Sequence, residues 1–185
     1  MIDETLLEAM ENMGKAVEHV QAQFIGVRTG RANASLVDKI QVEYFGAFVP
    51  LQQLASFQVP EARMLVVKPH DRGSIAAIEK AIQASDLGLS PSNDGVVIRL
   101  NFPALTEERR KEFVKVVKNM AEDGRITVRN VRRDARKIFE TAKKDGDISQ
   151  DELDRAEKEL EQLTQATVDT IDKAFTRKEH ELLEV

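Results

Sequence analysis

The chain has 185 residues, of which 32% are charged and 5% aromatic, with a net charge of -5, no Trp and no Cys. The missing Cys excludes disulfides, thiolate metal sites and cysteine nucleophiles, and the charge-rich, aromatic-poor balance is that of long amphipathic helices. No apolar stretch reaches the roughly 20 residues of a membrane span, and Met1-Ile2-Asp3-Glu4 offers neither the basic region nor the apolar run of a secretory signal. A cytoplasmic protein with no membrane partner is expected.

The first 28 residues carry Leu6, Met10, Met13, Val17, Val20, Phe24 and Val27, spaced alternately 4 and 3. That spacing predicts a helix packed along its length against partner helices at shallow angles. Gly30 is the expected stop. From Arg31 the period changes. Ile40–Tyr44 alternates, and Phe45-Gly46-Ala47 breaks the run as a turn does. Phe48-Val49, Phe57–Val59, Met64–Val67 and Val96–Leu100 are further short strands. A helix over about Ser74–Ser85 presents Ile75, Ile78 and Ile82 on one face, and Gly88, Pro91, Asn93 and Gly95 read as loop. Charges from Arg31 to Thr106 balance, seven against seven.

Helical signals return after Pro103. Thr106 is the expected N-cap, and Glu107 and Glu108 suit the positive end of the helix dipole. This helix runs to Lys143-Lys144 and ends at Gly146. Ser149–Glu152 reads as a capping box, flanked by Ile148 and Leu153 as a hydrophobic staple. The last helix continues nearly to Val185. Helices two and three are antiparallel because so short a turn joins them. The fold expected is α+β. A long three-helix bundle, residues 1–30 plus 105–185, is interrupted by a small β-rich β/α/β insert, residues 31–104. Two further long helices in the same chain favour an intramolecular bundle, hence a monomer.

Charge is sorted between those helices. Glu107–Lys144 holds 13 basic against 7 acidic residues, +6, and Ser149–Val185 holds 5 against 11, -6. Lys111, Lys118, Arg125, Arg129, Arg132 and Arg136, spaced 7, 7, 4, 3 and 4, form one stripe of the basic helix. The apolar set Phe113, Val117, Met120, Val128, Val131, Ile138 and Ala142 is expected on a face well away from it. A solvated face needs no such segregation, and arginine in the densest part suits phosphate and base edges, so RNA is the first candidate partner. Pairing with the acidic helix is the alternative. It is expected to absorb residues at the core edge such as Arg110, less readily those pointing outward. Gly124, mid-helix on the apolar side, reads as a close approach of helices.

No enzyme signature is present. Gly14-Lys15 lacks the first glycine of a phosphate loop, and His19, His70 and His180 are scattered. No catalytic residue, metal site or cofactor is expected. A non-catalytic scaffold or chaperone-like adaptor is the competing class, but it leaves the arginine stripe and the discontinuous insert unexplained.

The motifs Arg28-Thr29-Gly30-Arg31-Ala32, Leu105-Thr106-Glu107-Glu108-Arg109-Arg110-Lys111 and Arg129-Asn130-Val131-Arg132-Arg133-Asp134-Ala135 resemble signatures of the bacterial ribosome recycling factors. Ala84-Ser85-Asp86-Leu87-Gly88-Leu89, Gly46, Pro50-Leu51 and Ala55 fit the same family, so the resemblance spans essentially the whole chain. It implies an L-shaped molecule, a bundle with its second domain set at one end through a flexible hinge. It also implies a translation factor that splits post-termination ribosomes with elongation factor G and GTP. The bundle would then bind large-subunit ribosomal RNA. The family's functional arginine maps onto Arg132, with Arg129 and Arg28 as neighbours in RNA contact, and Arg136, Arg125 and Lys118 complete the expected RNA-binding set. The hinge is expected at Gly30, Arg31, Ala32 and at Phe102, Pro103, Ala104. Relatives commonly carry two consecutive prolines where this chain has Pro103-Ala104, and the lost proline loosens that linker.

Overall fold

A computed structural model describes residues 1–184. They form two compact units, Met1–Val27 with Arg110–Val185, and Arg28–Arg109. The first contains α1 (Ile2–Ile25), nearly all of α4 (Glu107–Lys144) and α5 (Gln150–Leu183). Among the described residues, no helix is long and apolar enough to cross a membrane.

The bundle core gathers Met13, Val20 and Phe24 of α1, Val117, Val128 and Phe139 of α4, and Leu160, Ile171 and Leu182 of α5. Each fully buried side chain of this size stabilises the fold by roughly 1.5–3 kcal/mol. The inward row of α1 differs from the expected heptad seam. It runs Thr5, Ala9, Met13, Ala16, Val20 and Phe24, while Met10 is exposed and Leu6 and Val17 only flank the core. Spacings of 4, 4, 3, 4 and 4 track a straight helix, near 3.6 residues per turn, better than a strict heptad does. Small residues at Ala9 and Ala16 also let a neighbour come close. Gly124 serves the same purpose from α4: a Cβ there would overlap Val20 Cγ2.

Helix ends follow local chemistry. α1 stops at Ile25, with Gly26 at φ -71°, earlier than expected; Gly30, at φ +78°, is left-handed but lies beyond the helix. Thr106 Oγ1 accepts from Arg109 N at 3.2 Å, the expected cap of α4. At the far end Asp147 N donates to Ala142 O and Gly146 N to Lys143 O, with Gly146 at φ +81°. This pair of bonds is the Schellman arrangement, which needs a left-handed residue at that point. Ser149 and Glu152 close the reciprocal capping box of α5, and Ile148 and Leu153 are both buried beside it.

The insert has its own core. β1 (Gln41–Tyr44) and β2 (Ala47–Pro50) form a hairpin through Phe45 and Gly46, both at positive φ. The one-turn α2 (Leu51–Leu54) follows. Next come β3 (Ala55–Glu61), β4 (Met64–Pro69), α3 (Ile75–Ala84), β5 (Pro91–Asn93) and β6 (Ile98–Asn101). The last four strands make an antiparallel sheet in the order β3-β4-β6-β5. Alternation decides its inner face: Leu65 pairs with Leu100 and Val67 with Ile98, all fully buried, and Ile78 and Ile82 of α3 belong to the same core. Pro60 is tolerated in β3 because that strand lies at the sheet edge, where an irregularity follows Gln58. Pro91–Asn93, expected as loop, is the opposite edge strand. Three polar or proline residues carry no period of their own, so pairing with Leu100, Arg99 and Ile98 makes the strand.

Candidate functional site

The cationic row of α4 lies closer to the core than its sequence suggests. At 100° per residue it is centred roughly 65° around the helix from the buried row Val117, Ala121, Val128 and Phe139. α5 flanks the bundle on that side, and the acidic residues of α5 reach the guanidiniums. Arg125 Nε donates to Asp172 Oδ1 at 2.7 Å, and its Nη1 donates to Glu122 at 3.0 Å. Arg132 Nη1 donates to Glu161 Oε2 at 3.0 Å. Arg136 Nε lies 3.0 Å from Glu140 and 3.3 Å from Glu157. Arg129 has one long contact, 3.5 Å to Glu122. The expectation that pairing would take Arg110 and spare the outward residues is therefore overturned. Arg110 has a buried Nε with no hydrogen-bond partner among the described residues, while Arg125, Arg132 and Arg136 reach across to α5. Ile138, placed by periodicity in the apolar set, is exposed beside the groove between α1 and α4.

The pairing is graded. Arg125 has a side chain only 18% exposed and engages two carboxylates. Partial burial works against its charge, but the hydrogen bonds to Asp172 and Glu122 outweigh that and hold its pKa above the ordinary value. It is a strut between α4 and α5. Arg129, Arg132 and Arg136 are 52%, 39% and 58% exposed. A guanidinium has five N–H donors in a planar fork, so a single carboxylate leaves most of them to solvent. Lys118 is exposed and has no carboxylate within 4 Å among the described residues. Lys118 to Arg136 thus present a cationic row about 27 Å long on a rigid helix. Bonds of guanidinium or ammonium to phosphate are among the charge-assisted interactions open to such a row. Among the described residues no group of three His, Asp or Glu is placed to hold a metal.

The remaining expected residues lie in the other unit. Arg28 is half-buried, with a shielded Nη2 that has no hydrogen-bond partner among the described residues. Gly30 packs against Leu105, where an added Cβ would stand 3.4 Å from the Leu105 nitrogen. Ala32 N donates to Ala62 O and Phe102 N to Arg63 O, both at 2.8 Å, and the Phe102 ring is buried in the insert core. Ala32 and Phe102 are therefore fastened to the sheet unit, whereas Pro103 and Ala104 are exposed. Glu122 and Glu140 border the stripe in sequence, but the α5 carboxylates that hold the row, Glu157, Glu161 and Asp172, were not identified there. Their signal was the -6 of the last helix, but a net charge does not say which acid meets which arginine.

A family model described as ribosome recycling factor matches residues 20–183. Ribosome-recycling factors of Thermobifida fusca and Kineococcus radiotolerans are 56% and 54% identical over 185 residues, covering all of both chains in each case. A solution structure of the ribosome recycling factor superposes with a TM-score of 0.83 at 41% identity, covering 100% of this chain and 98% of that one. A second solved structure has a TM-score of 0.70 at 43% identity and covers 99% of each chain. It describes the Thermus thermophilus factor and Escherichia coli elongation factor G bound to the E. coli post-termination complex.

Proposed function

Because the chain belongs to the ribosome recycling factor family, a family of non-catalytic translation factors, we propose that it splits post-termination ribosomes into subunits together with elongation factor G and GTP. The bundle binds large-subunit ribosomal RNA through Lys118, Arg129, Arg132 and Arg136. Arg125 braces the row, and Arg28 adds a further RNA contact. One copy of the chain acts as a monomer. The carrying observation is the half-exposed cationic row on α4, in a chain matched to the family from end to end. An ion pair on a protein surface contributes only about 0–1 kcal/mol, whereas a hydrogen bond to a charged group contributes about 1.5–3. A phosphate bonded to the Arg132 N–H donors that Glu161 leaves free therefore adds to the existing pair.

The insert supplies the second body. Its balanced charge gives it no comparable grip on RNA, and the linkers beside Gly30-Arg31 and Pro103-Ala104 let it reorient while the bundle stays anchored. The test is a splitting reaction with purified post-termination ribosomes. Subunits are expected only when this chain, the GTPase and GTP are all present, and Arg132→Ala should abolish most of the yield. Splitting at an unchanged rate by Arg132→Ala would remove the row from the mechanism.

A further inference from the structure

Four guanidiniums aimed at RNA have no need of carboxylates, yet α4 and α5 supply one or more to each of them. Two of these acids come from α5 and face the exposed arginines: Glu161 on Arg132 and Glu157 on Arg136. Between the helices lies a groove of about 360 Å³, lined by Arg132, Arg136, Asp154, Glu157, Lys158 and Glu161. Across the α4–α5 seam, α4 contributes the two arginines and α5 the three carboxylates and Lys158. A solubilising surface has no need for that alignment, since same-helix pairs such as Arg136–Glu140 already achieve it.

Resting on the reading that this row meets RNA, we propose that Glu161 and Glu157 are specificity-determining residues, carboxylates that stand where a loose phosphate would otherwise bind. Two physical effects follow from the geometry. Each carboxylate holds a long, flexible arginine in place, so less side-chain freedom is lost when a matching partner arrives. Each also repels any phosphate that approaches without fitting. A folded RNA surface can meet the outer N–H groups of Arg132 and Arg136 while the carboxylates stay in place. A flexible single strand cannot hold its phosphates clear of them. Discrimination then comes from a repulsive element as much as from the attractive one.

The experiment compares two probes, isolated large ribosomal subunits and a 30-nucleotide poly(U) strand, at one fixed salt concentration. The proteins are wild type, Glu161→Gln, Glu157→Gln, the double variant, Asp154→Asn and Arg132→Ala. Each single glutamine substitution should raise poly(U) affinity about two- to fivefold, as loss of one surface ion pair implies. It should raise large-subunit affinity less, or lower it, so the preference for subunits narrows. Asp154 lines the same groove and accepts from Gln150, with no arginine in bonding distance among the described residues, so Asp154→Asn should leave the preference unchanged. Melting temperatures report that every variant folds. An unchanged or widened preference in the double variant overturns the proposal, as does an Asp154→Asn effect equal to that of Glu161→Gln. Wild-type subunit binding by Arg132→Ala instead sinks the RNA reading beneath it, so the two failures are separable.

Discussion

The bundle and the insert bury comparable apolar cores but treat charge in opposite ways. In the bundle, charge is sorted by helix, +6 on α4 and -6 on the segment of α5; in the insert, seven cations and seven anions are dispersed. The insert spends its charged groups locally. Asp94 accepts from Val96 N, Val97 N and Arg99, and Asn93 donates to Glu79. The bundle aligns them over several turns. A net charge of -5 therefore hides an extended cationic row, because segregation along an element, rather than the total, decides what a surface attracts.

The sharpest way to break this comparison is to damage one core alone. Phe139 is fully buried among the three long helices, and Phe139→Ala should cost about 3–5 kcal/mol. Amide exchange should then accelerate throughout the bundle, while Leu65 and Val67 in the insert keep their protection. Equal loss of protection in both units would show that they unfold as one.

Within the seam, Arg132 and Arg125 should separate binding from stability. Arg132→Ala is expected to weaken large-subunit binding by about 1.5–3 kcal/mol. It should leave thermal stability nearly unchanged, since its ion pair with Glu161 is solvent-exposed. Arg125→Ala, which removes the strut to Asp172 and Glu122, should lower stability by about 1–2 kcal/mol. Parallel binding and denaturation curves for both variants decide the matter; a reversed pattern would exchange their roles.

Gly124→Ala tests packing against propensity. Alanine favours the helix by about 1 kcal/mol, but its methyl overlaps Val20 Cγ2. Overpacking typically costs about 1–3 kcal/mol, so a net loss on the order of 1 kcal/mol is expected by urea denaturation. A stabilised variant would mean that Val20 can move aside.

Ala104→Pro addresses the linker between the two kinds of surface. The added ring fixes φ at 104 and restricts Pro103. Subunit binding should stay at the wild-type level, with a change in splitting rate read by light scattering. An unchanged rate would make reorientation at this point dispensable.

The smallest effect is local to the insert. Backbone hydrogen bonds from Val97 and Val96, with help from Arg99, hold the Asp94 pKa down to about 2 from an ordinary 3.8. A depressed folded value means that its stabilisation is present above the ordinary pKa and disappears as pH falls through about 2. NMR titration of the Asp94 carboxyl should find that low midpoint. A midpoint near 3.8 would show that the loop does not hold these bonds in solution.

Local signals in the sequence determined a good deal. Ser149 and Glu152 cap α5, Thr106 caps α4, Gly146 ends it, and Ile78 and Ile82 mark one face of α3, because each depends on residues within a turn or two of itself. The cationic row was equally legible, since helical spacing alone puts Lys118 through Arg136 on one line. Tertiary structure decided the rest. Pro91–Asn93 is a strand only through β6, and Met10 faces outward because small residues Ala9 and Ala16 let the helices pack on a different line. The same holds for the row itself. One-dimensional charge sorting cannot tell Arg125, locked against Asp172, from Arg132, held by one exposed carboxylate. That distinction depends on which side of α4 the acidic helix occupies, and only the packing of three helices around a shared core sets that side.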